Sequence, residues 1–134
     1  MKTQLILFSF IALALIACKD LEDIKGSYSV ASVDGVDMDG KGITINIEMT
    51  GTENNISGNN SCNEYSGSFT NSEGNQISLG PIIGTKIYCV ENAKTETAYM
   101  NALALVKIAE LKNEVLKLMD VDGNVLIKAN KKNE

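Results

Sequence analysis

The chain contains no histidine, no tryptophan and no arginine, and has a single proline in 134 residues. Without histidine it lacks the commonest general base and the commonest metal ligand, which excludes Ser-His-Asp and Cys-His catalysis within the chain. Without arginine it has no planar fork to grip a phosphate or a guanine edge. The 12 basic residues are all lysine, and they are scattered through a chain of net charge −5. Nucleic-acid binding needs a concentrated positive patch, so no nucleic-acid partner is expected. No catalytic set, metal site or cofactor is expected either.

What is present starts at the N-terminus. Lys2 precedes an apolar run from Leu5 to Ala17. This is short for a membrane span but suits the apolar region of a signal peptide. It ends in Leu15-Ile16-Ala17-Cys18, which resembles the bacterial lipobox. That resemblance implies a signal peptide over residues 1–17 and a lipid on Cys18. The chain would then sit in the outer membrane or cell envelope, held by its lipid and facing the periplasm or the cell surface. Two or more acyl chains hold a protein on a membrane stably, at about 0.8 kcal/mol per buried methylene. The acidic stretch Asp20-Leu21-Glu22-Asp23 is similar to signals that send lipoproteins to the cell surface. It reads equally as part of a solvated tether over residues 18–25.

Beyond the tether, short strand-like runs alternate with Gly, Asn and Asp. Ile43, Ile45, Ile47 and Met49 alternate with Thr44, Asn46 and Glu48, predicting a strand with one buried face. Further strands are expected over Ser27–Val33, Asn55–Asn60, Tyr65–Thr70, Gln76–Leu79, Val106–Leu111, Val115–Met119 and Val125–Ala129. Gly67 marks a bulge or a close backbone approach. Ala93 to Leu105 is rich in Ala, Leu and Met, with Tyr99, Leu103 and Val106 at helical spacing, which predicts one amphipathic helix capped by Asn92. The pattern is mainly β (α+β): a small antiparallel, strongly curled sheet or partial barrel with one α-helix. One domain is expected over residues 26–130, followed by a frayed tail over 131–134.

With Cys18 committed to lipid, Cys62 and Cys89 form an even pair in an oxidising compartment, which predicts a disulfide. Their spacing is far from the C-x-x-C of redox motifs, and a zinc site would need two more ligands.

The residues around these cysteines carry a family resemblance. Gly58-Asn59-Asn60-Ser61-Cys62-Asn63-Glu64-Tyr65-Ser66-Gly67 resembles the G-x-x-G-C-N-x-Y-S-G segment of META domains, the HslJ-like heat-shock family. Leu79 to Cys89 is similar to that family's second block, which ends in T-x-M-x-C. Glu96, Tyr99 and Leu103 fit its helix. Here Ser61 replaces the usual Gly, Ile87 the usual Met, and Tyr28 a frequent Trp. The resemblance implies a β-rich, envelope-associated protein with no established catalytic mechanism, often a lipoprotein, with some members linked to heat shock or antibiotic tolerance. Its motif positions fall on Asn63, Tyr65, Gly67 and Thr85. Asn63 reads as a turn residue and Tyr65 as core.

Three weaker signals in the sequence point to no site. Asp34–Gly40 and Asp120–Asn124 do not fit an EF-hand loop and read as ordinary turns. Two glycosylation sequons, at Asn55 and Asn59, carry no weight in a bacterial lipoprotein. Carboxylates are plentiful, but nothing pairs two of them in a cleft. The expected function is therefore non-enzymatic: a lipid-anchored binding or stress-protection module. The alternatives are an inhibitor of an extracellular hydrolase such as lysozyme, or a lipocalin-like carrier of a small apolar ligand. Partners are the membrane through Cys18, and an extracellular protein or small apolar molecule.

Overall fold

The computed structural model describes residues 21–133. The expected signal peptide and the Cys18 anchor lie outside them. Among the described residues, no helix is long and apolar enough to cross a membrane.

Ten strands and one helix follow in chain order. They are β1 (Gly26–Val33), β2 (Val36–Asp37), β3 (Thr44–Met49), β4 (Asn54–Asn59), β5 (Glu64–Asn71), β6 (Ile77–Leu79) and β7 (Ile83–Gly84). After α1 (Ala93–Ala104) come β8 (Ile108–Lys112), β9 (Val115–Met119) and β10 (Val125–Lys131). A short 3-10 turn, Leu21–Ile24, precedes β1.

All strand pairings are antiparallel, in the order β6-β5-β4-β3-β1-β10-β9-β8. The sheet curls until its two edges meet. Gln76 bridges Ile108, Ile77 N–H donates to Lys107 C=O, and Ala109 N–H donates to Asn75 C=O. The result is a barrel with one seam.

Alternation decides which side chains fill it. Ile45 and Ile47 on β3, Leu116 and Leu118 on β9, and Ile127 and Ala129 on β10 are buried. Lys117 and Lys128, between them in sequence, point outward and face each other across the pair. Tyr28, Ile43, Ile45, Leu116, Leu118 and Ile127 are fully buried, and at roughly 25 cal/mol per Å² of apolar surface such a cluster is the main stabilising term.

The helix packs against β10 and β1. It begins at the β4–β5 connection, turns Tyr99, Ala102 and Leu103 inward, and leads through buried Val106 to Lys107, whose N–H donates to Met119 C=O. Asn92 occupies the N-cap position but does not cap: its amide donates to Ser61 C=O at 3.0 Å. That side chain ties the helix start to the hairpin instead.

Two strands, β2 and β7, have only two residues each, too few to show a period in sequence. Asp34 and Gly35 (φ +47° and +77°) form the two-residue turn into β2, as Asn113 and Glu114 do between β8 and β9. At the far end β10 runs through Lys131, and Lys132 N–H donates to Ser27 C=O.

Cys62 and Cys89 are joined by a disulfide, with Cα atoms 5.9 Å apart and a sequence separation of 27. By chain entropy, a loop of that size is worth about 3.5 kcal/mol. Replacing both cysteines with serine should therefore lower the urea midpoint by the equivalent of about 3.5 kcal/mol, with the unfolding slope slightly raised because the denatured chain opens further.

Candidate functional site

The β4–β5 connection, Asn60 to Asn63, folds back on its own side chains. Asn60 Oδ1 accepts from the N–H groups of Cys62 (3.2 Å) and Asn63 (2.7 Å), and Asn59 Oδ1 accepts from Ser61 N–H (2.9 Å). Short amides that satisfy nearby backbone in this way are strong turn formers.

Ser61 sits at φ +87°, in the left-handed region that favours glycine, and its hydroxyl is buried with no partner. Both features are unfavourable. Ser61→Gly is expected to stabilise the protein by about 1 to 2 kcal/mol, because it relieves the backbone and removes the orphan hydroxyl. A thermal melt of the variant checks this; an unchanged or lower midpoint would refute it.

Asn63 does far more than turn the chain. It is only 3 % exposed, its amide makes four hydrogen bonds to oxygen and nitrogen partners, and its Nδ2 also lies 3.5 Å from Cys62 Sγ. Its Oδ1 accepts from Thr85 Oγ1 (2.9 Å) and Ile87 N–H (2.7 Å), and its Nδ2 donates to Ile87 C=O (2.9 Å) and Glu96 Oε1 (2.8 Å). Two donors and two acceptor sites are all an asparagine has, so the group is saturated. Glu96 Oε1 also accepts from Asn60 Nδ2 at 3.2 Å. Thr85 closes the circuit: its Oγ1 accepts from Glu64 N–H, and its own N–H donates to Glu64 C=O.

Below this network, Tyr65 O–H donates to Thr44 C=O at 2.9 Å, so the hydroxyl of Tyr99, 2.5 Å away, must donate to Tyr65. The rings are tilted at 53° with centroids 5.6 Å apart. Burial pushes both phenols up: Tyr65 well above its ordinary range, and Tyr99 further pressed by the adjacent Tyr65.

Gly67 is the place of a close approach rather than a bulge. It pairs in register with Ile56, and a Cβ there would lie 2.5 Å from Ile82 Cδ1 and 3.0 Å from Pro81 C=O.

These residues converge on one object, the segment from Pro81 to Cys89. Gly84 packs on β5, Thr85 and Ile87 are gripped by Asn63, and Cys89 is bonded to Cys62. The META domain family model matches residues 19–133. The chain belongs to the META domain family. Its fold is similar to an NMR structure of a protein from Burkholderia xenovorans, with a TM-score of 0.64 and 21% identity over 85% of this chain and 87% of that one. No curated protein matches it.

In this META domain the motif residues build a clamp. Asn63, Tyr65, Gly67, Thr85 and the Cys62–Cys89 bond all lie in or beneath it. Asn60, Asn92 and Glu96 complete it, although the sequence marks Asn92 only as a cap and Glu96 only as a helix residue. Cys18 lies outside the described residues. What the clamp holds out to solvent is apolar: Ile83, Ile87, Tyr88 and Val90 are 69 %, 65 %, 82 % and 75 % exposed. Among the described residues, no group of three or more Cys, Asp or Glu side chains converges as a metal site.

Proposed function

We propose that this META domain is a lipid-tethered, non-enzymatic binding module of the cell envelope, and that the clamped loop is its contact surface. The observation that carries the reading is the pairing of rigidity with exposure. Isolated apolar residues on a surface are ordinary, but four within eight positions, held by a disulfide and a saturated asparagine, favour a recognition surface. A loop fixed beforehand loses little entropy on binding, and large apolar or aromatic side chains are the usual anchors. The partner is taken to be a protein outside the cytoplasm. The tether reading is supported by Leu15-Ile16-Ala17-Cys18 and by the start of the family match at residue 19, directly after Cys18.

A photo-crosslinking residue placed at position 88 in cells should give a discrete protein adduct, while one at position 128, on the lysine-bearing face, should not. The same adducts at both positions, or none at 88, would sink the contact-surface reading. Intact mass of membrane-extracted protein tests the anchor separately. Loss of residues 1–17 and added acyl chains are expected, and Cys18→Ser should release the protein from the membrane fraction.

One alternative gains from the same loop. Protein inhibitors of hydrolases also present pre-organised loops, and the net charge of −5 suits a basic target such as lysozyme. That reading requires a stoichiometric, salt-sensitive complex with the enzyme. A carrier of apolar ligands is less favoured, because Tyr28, Tyr99, Leu103, Leu116 and Leu118 fill the interior that a ligand would need.

A further inference from the structure

The outer face of β3, β4 and β5 carries a second feature, which shares only Ile83 with the exposed apolar side chains of the loop. Asn46, Ser57 and Ser66 stand directly opposite one another across three strands, and Ser66 stands opposite Ile83 of β7. Asn59 and Glu64 form the next pair on the same face, two residues along. The clamped segment rises beside this row as a wall and turns the sheet face into an open groove of about 610 Å³. That lies within the range of small-ligand sites.

The chemistry of the groove is unusual for an exposed sheet face. Among the described residues, the side chains of Asn46, Ser57, Ser66 and Glu64 make no hydrogen bond within the chain. No lysine lines the groove, and Glu64 is the only charged group in it. The neighbouring hollow adds Glu48 and again no lysine. Lys112, Lys117 and Lys128 lie on β8, β9 and β10, and Lys86, which follows Thr85 on the clamped segment, is exposed but does not line the groove.

Hydroxyl and amide groups repeat across this face at the strand spacing of about 4.8 Å, which suits a ligand with several hydroxyls around one ring. The unpaired carboxylate at the rim calls for a positive charge on that ligand. Ile83 offers an apolar wall to a C–H face in the place of an aromatic ring. We propose that the groove binds an amino sugar, free or as a short oligomer, its hydroxyls on Asn46, Ser57 and Ser66 and its ammonium on Glu64. The site is open and lacks an aromatic platform, so the affinity belongs in the millimolar range, equivalent to about −4 kcal/mol.

The test is a ¹⁵N-NMR titration of residues 19–134, which contain the whole described fold, with three probes. These are a β-1,4-linked glucosamine disaccharide, the neutral cellobiose, and spermidine. The amino disaccharide should shift resonances of Asn46, Ser57, Asn59, Ser66 and Gly84, at least five-fold more tightly than cellobiose. Ser57→Tyr, which fills the groove from an outward position, should abolish the shifts. Glu64→Gln should reduce the amino disaccharide to the level of cellobiose. Silence at tens of millimolar, shifts centred elsewhere, or spermidine binding as well as the sugar would each overturn the proposal. None of these outcomes bears on the crosslink at position 88, so the two readings stand or fall separately.

Discussion

Gly58→Ala is expected to destabilise the barrel by on the order of 4 kcal/mol, a large share of the roughly 5 to 15 kcal/mol that holds a domain folded. Gly58 lies on β4 with its missing side chain directed at β3. A Cβ at that position would sit 2.0 Å from Thr44 C=O and 2.7 Å from the carbonyl carbon. Those are backbone atoms of a neighbouring strand, so no rotamer change relieves the clash. The two strands must separate, and Tyr65 O–H, 3.0 Å from the same point, loses its path to Thr44. Overpacking by one methyl usually costs about 1 to 3 kcal/mol, and here the lost tyrosine hydrogen bond adds to it. Denaturant unfolding of Gly58→Ala beside Gly35→Ala is the check. Gly35 has nothing within 4 Å of its would-be Cβ, although its φ of +77° also disfavours alanine. A Gly58 variant no weaker than the Gly35 one would contradict the argument.

Stability is also expected to be level up to about pH 9.5 and then to fall steeply. Tyr65 and Tyr99 are held protonated in the native state by burial, whereas in the unfolded chain they titrate near pH 10. Above that pH the unfolded state releases protons that the native state keeps. The contribution is therefore fully present below pH 10 and is lost as the pH rises toward the native values. Each such phenol sets a slope of about 1.4 kcal/mol per pH unit, so the pair gives about 2.7 kcal/mol per unit. Tyr28 acts in the same direction, pushed up to about 12 by burial and by the negative charge of Glu114. Urea midpoints of residues 19–134 between pH 8 and 11 measure this, and that form has no free thiol to scramble the disulfide. Tyr99→Phe should flatten the alkaline slope at little cost in stability, since Tyr65 keeps its acceptor. Tyr65→Phe should flatten it too but cost more, since it leaves the Tyr99 hydroxyl without a partner. An alkaline slope equal in wild type and Tyr99→Phe would rule the mechanism out.

The parts of this fold that could be read from sequence are those whose physics is local. Ile43 to Met49 alternates because one face meets the core, and Tyr99 and Leu103 share a helical face for the same reason. Clamp roles were not local. Asn63 looks like any turn residue until Thr85, Ile87 and Glu96, 22 to 33 positions away, come within reach of its amide. Asn92 has the composition of a cap, but Ser61 C=O competes for its side chain and wins. β7 is defined only by its contact with Tyr65 and Ser66. The cysteine pair and the family motif pointed to the right residues without disclosing that together they restrain one loop.

The pairing of β1 with β10 has a consequence for how the chain can be made. Tyr28 lies opposite Lys131 and Val33 opposite Ile127, so the first strand to emerge during synthesis finds this neighbour only when the last is complete. No partial chain can close the ring. Contacts between residues so distant in sequence also form slowly, because the closure entropy must be met before they contribute. A chain truncated before Val125 should remain open and unfolded. Such late closure leaves a newly made polypeptide an open, threadable string until β10 has been made.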